Sequence, residues 1–200
     1  KQKTAYEIAS CLVGSEMCIR DSPLATGLLV ICTGKSTKMI SEIQNQKKEY
    51  TGELTMGATT PSYDLETEID NIYDISNISE SDISSKTKLF IGEVLQKPPI
   101  FSAIKVKGER LYEKARRGEK INIKKRKITI YNFKLTEILL PKIHFIIECS
   151  KGTYIRSIAH DFGKSLNNGA HLSKLVRTKI GEFELKDAKS IIEFENELNK

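Results

Sequence analysis

The chain has 200 residues, 39% of them hydrophobic and 29% charged, with a net charge of +6. That is the composition of an ordinary globular protein with enough residues for a sizeable core. Its longest apolar run, Leu28 to Cys32, falls far short of the roughly 20 residues of a membrane span, and the N-terminal lysines precede no signal-peptide core. Cys11, Cys18, Cys32 and Cys149 form no CxxC pair and lie far from the three histidines. This argues against a metal site or a disulfide framework and for a reduced, cytoplasmic protein.

Charge is unevenly spread. Between Lys105 and Lys127 there are eleven Lys or Arg against three Glu, whereas Ser62 to Glu93 holds eight acidic residues against two lysines. A basic block larger than the charge of the whole chain points to a polyanion partner, nucleic acid first among them. On charge alone a solvated basic face explains the block as well.

Taken in chain order, Leu24 to Thr33 reads as a strand and "KSTKMISEIQNQ" as a short helix capped by Ser36 or Thr37. "KKEYTGELTMG" alternates, with Tyr50, Gly52, Leu54 and Met56 on one side. "ATTPSYDLETEID" is polar and turn-rich, a loop with little core, and "SESDISSKTKLFIG" is a capped helix. "KPPIFSAIKVKG" starts extended because of its prolines and ends as a strand. "ERLYEKARRG" is a short helix stopped by Gly118. Arg126 to Leu139 is a long β-branched strand, followed by a second in which Ile143, Phe145, Ile147 and Cys149 share a face. "TYIRSIAHDFGKSL" places Ile155, Ile158, Ala159 and Phe162 on one helical stripe. A last strand in "HLSKLVRTKIGEFEL" and a helix from Asp187 complete the chain. Strands dominate without a βαβ rhythm, which predicts an α+β fold with a mixed or antiparallel sheet.

Chemistry concentrates in "ECSKGTYIRSIAHD". A strand ends at Cys149, Gly152 permits a sharp turn, and a helix starts near Thr153, where free amides favour an anion. Arg156 lies in the first helical turn beside an apolar stripe, so its guanidinium requires a carboxylate or phosphate partner if it is buried; a surface arginine is the plainer alternative. Tyr154 suits either the core or a stacking platform for a base, and so does Tyr50, flanked by Lys47 and Lys48. His160 and Asp161 are neighbours that do not face each other on a helix, and no GxSxG accompanies them. "CTGKST" has Leu29 where a phosphate-binding loop has its first glycine.

Together, "PLATGLLVICTGKSTK", "KKEYTGELTMGATTPSYD", "KPPIFSAIKVKGERLYEKARRG" and "CSKGTYIRSIAHDFGKSLNNGAHLSKLVRTKIGEF" resemble the bacterial TruB pseudouridine synthase family, in unbroken order from Pro23 to about Lys189. The resemblance implies a mixed, mostly antiparallel sheet with flanking helices and a central RNA-binding cleft. It implies an enzyme that isomerises uridine-55 in the T-loop of tRNA to pseudouridine, with no metal and no cofactor. The target base is flipped out of its stack. An aspartate then acts at the sugar, as nucleophile at C1′ or base at C2′, and the freed uracil reattaches through C5.

Carried over by residue, the resemblance makes Tyr50 the tyrosine that packs on the target uracil and Arg156 the arginine paired with the catalytic aspartate. Tyr154 and Leu175 line the uridine pocket, and Lys151 and Gly152 shape the adjoining turn. Lys105, Lys107, Arg110, Arg116 and Arg117 form an RNA-facing surface for the tRNA T-arm. A monomer is expected.

The chain departs from the family where the catalytic aspartate should precede the proline of H-x-G-T-L-D-P-L-A-T-G. Ser22 stands there, with Asp21 one place earlier, Met17 in place of the histidine, and the upstream K-P-x-G-x-T-S element missing. A carboxylate shifted by one residue in an extended segment points to the opposite face, and catalytic geometry tolerates little displacement; Asp21 substitutes only if the loop rearranges. "CLVGSEMCIRDS" resembles a translated sequencing-adapter artefact, so residues 1–22 are read as partly or wholly foreign, with a divergent N-terminus as the alternative. Residues 23–200 are expected to form the catalytic domain, without the small C-terminal RNA-binding domain of many members. A non-catalytic tRNA-binding or tRNA-folding protein on the same scaffold is the competing reading.

Overall fold

Alternating apolar side chains build a central sheet, and one apolar helical stripe covers it. The computed structural model describes residues 24–106, 108–119 and 121–198. Asp21, Ser22 and Lys107, and the question of whether residues 1–22 are foreign, lie outside them. In chain order come β1 (Ala25–Gly27), a 3-10 turn leading into α1 (Ile40–Asn45), β2 (Lys48–Met56), β3 (Ala58–Thr59), β4 (Asn71–Ile72), α2 (Glu80–Lys86) and β5 (Gly92–Gln96). There follow β6 (Lys105–Val106), β7 (Glu109–Arg110), α3 (Leu111–Arg116), β8 (Arg126–Leu139), β9 (Lys142–Cys149), α4 (Ile155–Ser165), β10 (Ala170–Ile180), β11 (Phe183–Glu184) and α5 (Ile191–Leu198).

The main sheet runs β1-β10-β2-β9-β8-β5, with β11 added to β10. Every pairing in it is antiparallel except β1 with β10. This is the mixed, mostly antiparallel α+β architecture expected from the sequence. Tyr50, Leu54 and Met56 of β2 and Ile143, Phe145 and Ile147 of β9 face the α4 stripe of Ile155, Ile158, Ala159 and Phe162 in one buried core. Phe133 of β8 meets Phe162 at 5.6 Å and Phe145 at 6.2 Å between ring centroids. Fully burying each such side chain contributes about 1.5–3 kcal/mol.

Several local expectations change. The first strand ends at Gly27 because Nε of Arg177 takes the Leu28 carbonyl at 2.8 Å, drawing the chain out of the ladder. Gly27 sits at φ +104 against the Arg177 backbone, where a Cβ would collide with the Arg177 carbonyl. No Ser36 or Thr37 cap forms; Thr37 lies inside a 3-10 turn that begins at Gly34, and its hydroxyl donates back to the Gly34 carbonyl at 2.7 Å. The capped helix does form, with Ser79 and Asp82 closing a reciprocal box. Gly92–Gln96, where the sequence reading placed no strand, is an edge strand on β8. The final helix starts at Ile191, after a 3-10 turn over Leu185–Asp187.

The largest correction concerns the polar loop at 57–70. Ala58, Thr59, Thr60, Ser62 and Asp64 are buried in it. Its hydroxyls are satisfied internally: Thr60 donates to the Asp64 carbonyl (2.6 Å), Thr59 donates to Asp70 (2.6 Å), and Ser62 and Thr67 share a hydrogen bond of 2.9 Å. A polar segment can therefore enter the interior without leaving unmet hydrogen bonds.

Candidate active site

The turn before α4 is tied on both sides. Gly152 takes φ +81, a left-handed conformation that favours glycine, as its place in the motif suggested. The Thr153 hydroxyl donates to the Ser150 carbonyl at 2.9 Å, and Ser150 exchanges hydrogen bonds with Thr129 of β8. At the helix start, the buried Gln96 amide clasps Tyr154, accepting from its N–H at 2.8 Å and donating to its carbonyl at 2.9 Å. One residue further, the Ser157 hydroxyl donates to the Lys97 carbonyl. The end of β5 thus fixes the register of the first turn of α4.

That turn presents Arg156, whose side chain is 1% exposed. Its Nη1 donates to the Asp64 carboxylate at 3.1 Å and lies 3.4 Å from the Ser62 carbonyl, and its Nη2 donates to the Phe101 carbonyl at 2.9 Å. One guanidinium thereby joins α4, the 57–70 loop and the segment after β5. Its Nε is buried with no hydrogen-bond partner among the described residues. Nε is thus a buried donor of this charged group whose partner the described residues do not supply, and an anionic oxygen is the acceptor that would match it best.

Buried Arg156 needs an anion, and Asp64 supplies one. Sequence reasoning missed it. The loop also carries Glu66, Glu68 and Asp70, and neither spacing nor composition singles out one acid. Gln96 and Phe101 were missed for the same reason: their roles depend on contacts more than 50 residues apart.

Tyr50 and Leu175 lie in the same core as the α4 stripe, and both are buried. In the sheet register, Leu175 stands between Ala25 of β1 and Gly52 of β2, while Tyr50 is opposite Arg177. Tyr154 is also buried. Lys151 is exposed and donates to Asn45 at 3.0 Å, linking the turn to the end of α1. The expected RNA surface divides. The guanidinium groups of Arg110 and Arg116 lie 5.8 and 5.5 Å from the Tyr112 ring, Arg116 also pairs with Glu66 at 3.7 Å, and Arg117 is held more closely by Glu109 and Glu119 at 2.6 and 2.7 Å. Lys105 belongs to β6.

Two titratable rings adjoin this frame. Burial, then Lys164, against Asp70, pushes His160 down to about 4, and burial with Asp161 and Asp70 raises the Tyr63 phenol. In β10, burial pulls the Arg177 guanidinium down to about 10.

The family model described as the TruB family pseudouridylate synthase N-terminal domain matches residues 22–155. The chain belongs to the TruB family. It is 61% identical over 176 residues to tRNA pseudouridine synthase B of Flavobacterium johnsoniae, covering 88% of this chain and 77% of that protein. It is 48% identical over 172 residues to the protein of the same name from Phocaeicola vulgatus, covering 86% and 73%. Among solved structures it resembles a chain of the crystal structure of a Cbf5–Nop10–Gar1 complex, with a TM-score of 0.59 and 25% identity. That match covers 82% of this TruB chain and 39% of the other. The family match begins at Ser22, so it includes the residue before Pro23 where the motif expects aspartate.

Proposed function

We propose that this TruB chain carries the frame of a tRNA pseudouridine synthase acting on uridine-55 of the T-loop, and that Ser22 in place of the catalytic aspartate lowers its turnover by orders of magnitude. The observation that carries the reading is Arg156: a buried guanidinium anchored by Asp64 and two carbonyls, whose Nε, unpaired among the described residues, would take one more anion. In the family reaction that anion is the aspartate acting at the ribose. Arg156 would hold that carboxylate ionised and aimed, which matters because misplacement of about 1 Å can cost about 100-fold in rate. A serine hydroxyl at position 22 offers Arg156 no charge and is a poor base near neutral pH.

The remaining residues fit the rest of the task. Tyr50 would pack on the flipped uracil, Tyr154 and Leu175 would border its pocket, and Arg110 and Arg116 around Tyr112 would meet the T-arm phosphates. The names of the relatives support tRNA as the substrate.

The test uses the full chain with the family motif restored before Pro23, assayed on a tRNA transcript and on the same transcript with cytidine at position 55. Pseudouridine in the first and none in the second is expected. Conversion at another uridine would refute the site assignment. Tight binding without any conversion would favour the non-catalytic tRNA-binding reading.

A further inference from the structure

One turn beyond Arg156 on α4 stands His160, and its ring lies flat on that of Tyr63, with centroids 3.8 Å apart and planes at 15°. Tyr63 immediately precedes Asp64. Helix α4 therefore grips the 57–70 loop at two consecutive residues, Asp64 through the Arg156 ion pair and Tyr63 through the stack. Residues four apart share a helix face, so both grips come from one side of α4.

The backbone at Tyr63 is unusual. Its φ is +67, a conformation that bulky residues adopt only where the surroundings impose it. The Tyr63 N–H donates to the Thr60 carbonyl at 3.1 Å, and its carbonyl accepts from the buried Leu172 N–H at 2.9 Å. Asp64 forms a parallel bridge with the same Leu172, and its Oδ1 accepts from the Glu66 N–H at 3.0 Å. Glycine would fit such a backbone without strain; what tyrosine adds is the ring. With His160 held neutral, the stack brings no second cation beside Arg156.

We propose that Tyr63 and His160 are positioning residues of the TruB site, whose stack fixes the turn at residue 63 and so sets the Asp64 carboxylate against Arg156. The proposal rests on reading the Arg156 frame as the catalytic centre.

The test places Tyr63→Phe, Tyr63→Gly, His160→Phe and His160→Ala in the full chain carrying Ser22→Asp and the restored motif. Hydrogen exchange at the Glu66 amide reads the geometry of the loop; single-turnover conversion and KM on a T-arm stem-loop read its consequence. Tyr63→Gly and His160→Ala should speed exchange at Glu66, with β2 and β9 unchanged, and should lower the conversion rate about 10- to 100-fold at nearly constant KM. Tyr63→Phe and His160→Phe should preserve both. Wild-type exchange and rate in Tyr63→Gly, or equal losses in all four variants, would overturn the proposal. If the restored background converts no RNA, the functional reading fails by itself. The exchange pattern then decides the positioning claim: the same split supports it, and a uniform pattern overturns it.

Discussion

Asp64 and Glu53 are carboxylates whose side chains are each only 4% exposed, but the cations that meet them differ in kind. Asp64 faces Arg156, itself buried, and the guanidinium is also held by a carbonyl of the same loop, Ser62, and by Phe101 from the segment after β5. Glu53, on the other side of β2, is buried beneath Lys142, Lys174 and His144, whose side chains are 53%, 68% and 36% exposed. Lys142 and Lys174 pair with its carboxylate at 3.4 Å, the His144 ring nitrogen lies 3.7 Å from it, and the Ser173 hydroxyl donates to it at 3.0 Å. The cation stems lie over the carboxylate while their charged heads stay in water. One arrangement immobilises a charged group in the interior. The other stabilises a sheet with groups that solvent and salt can reach.

The sharpest way to break this contrast is Asp64→Ala. It leaves the Arg156 guanidinium buried without its carboxylate, a change that costs about 3–5 kcal/mol, and thermal unfolding should show a Tm lower by on the order of 10 °C. Glu53→Gln should cost less, about 1–3 kcal/mol, because the amide still accepts from Ser173 and the cations remain solvated. Its effect should also depend on pH. Burial pushes the Glu53 carboxyl up, but Ser173, Lys142 and Lys174 together bring it below its ordinary value of 4.5. The unfolded chain then takes the proton more readily, so the contribution of Glu53 is present above pH 4.5 and is lost as pH falls through the folded value. Urea unfolding at pH 7 and at progressively lower pH should show the Glu53→Gln deficit shrinking. The smallest change is Lys174→Ala, worth about 0.2–1 kcal/mol and fading in high salt; an undiminished loss at high salt would contradict the solvent-open picture.

Much of the fold was legible because it is written locally. The alternation in β2 and β9 and the stripe Ile155, Ile158, Ala159 and Phe162 reflect the periods of strand and helix, and the expected faces are the ones that are buried. Gly152 and Gly118 mark turns that adopt positive φ. The site was legible only in part. Arg156 announced a need for an anion, but its partner Asp64 lies 92 residues away in a polar loop. That loop read as having little core because it is polar, and composition does not reveal that its inward hydroxyls find partners within the loop. Glu53 reads as the polar face of an alternating strand, and it is buried because three long side chains from β9 and β10 cover it. Such closures depend on register, including the irregularity between Leu172 and Lys174.

The proposed function has the Arg156 frame lacking only the carboxylate that the family carries at position 22. It is tested most directly by the single-turnover rate of pseudouridine formation in a T-arm transcript, comparing Ser22 with Ser22→Asp in the chain whose upstream motif is restored. The account predicts a rate about 10²–10⁴-fold higher with aspartate. Equal, substantial rates with serine and aspartate would contradict it.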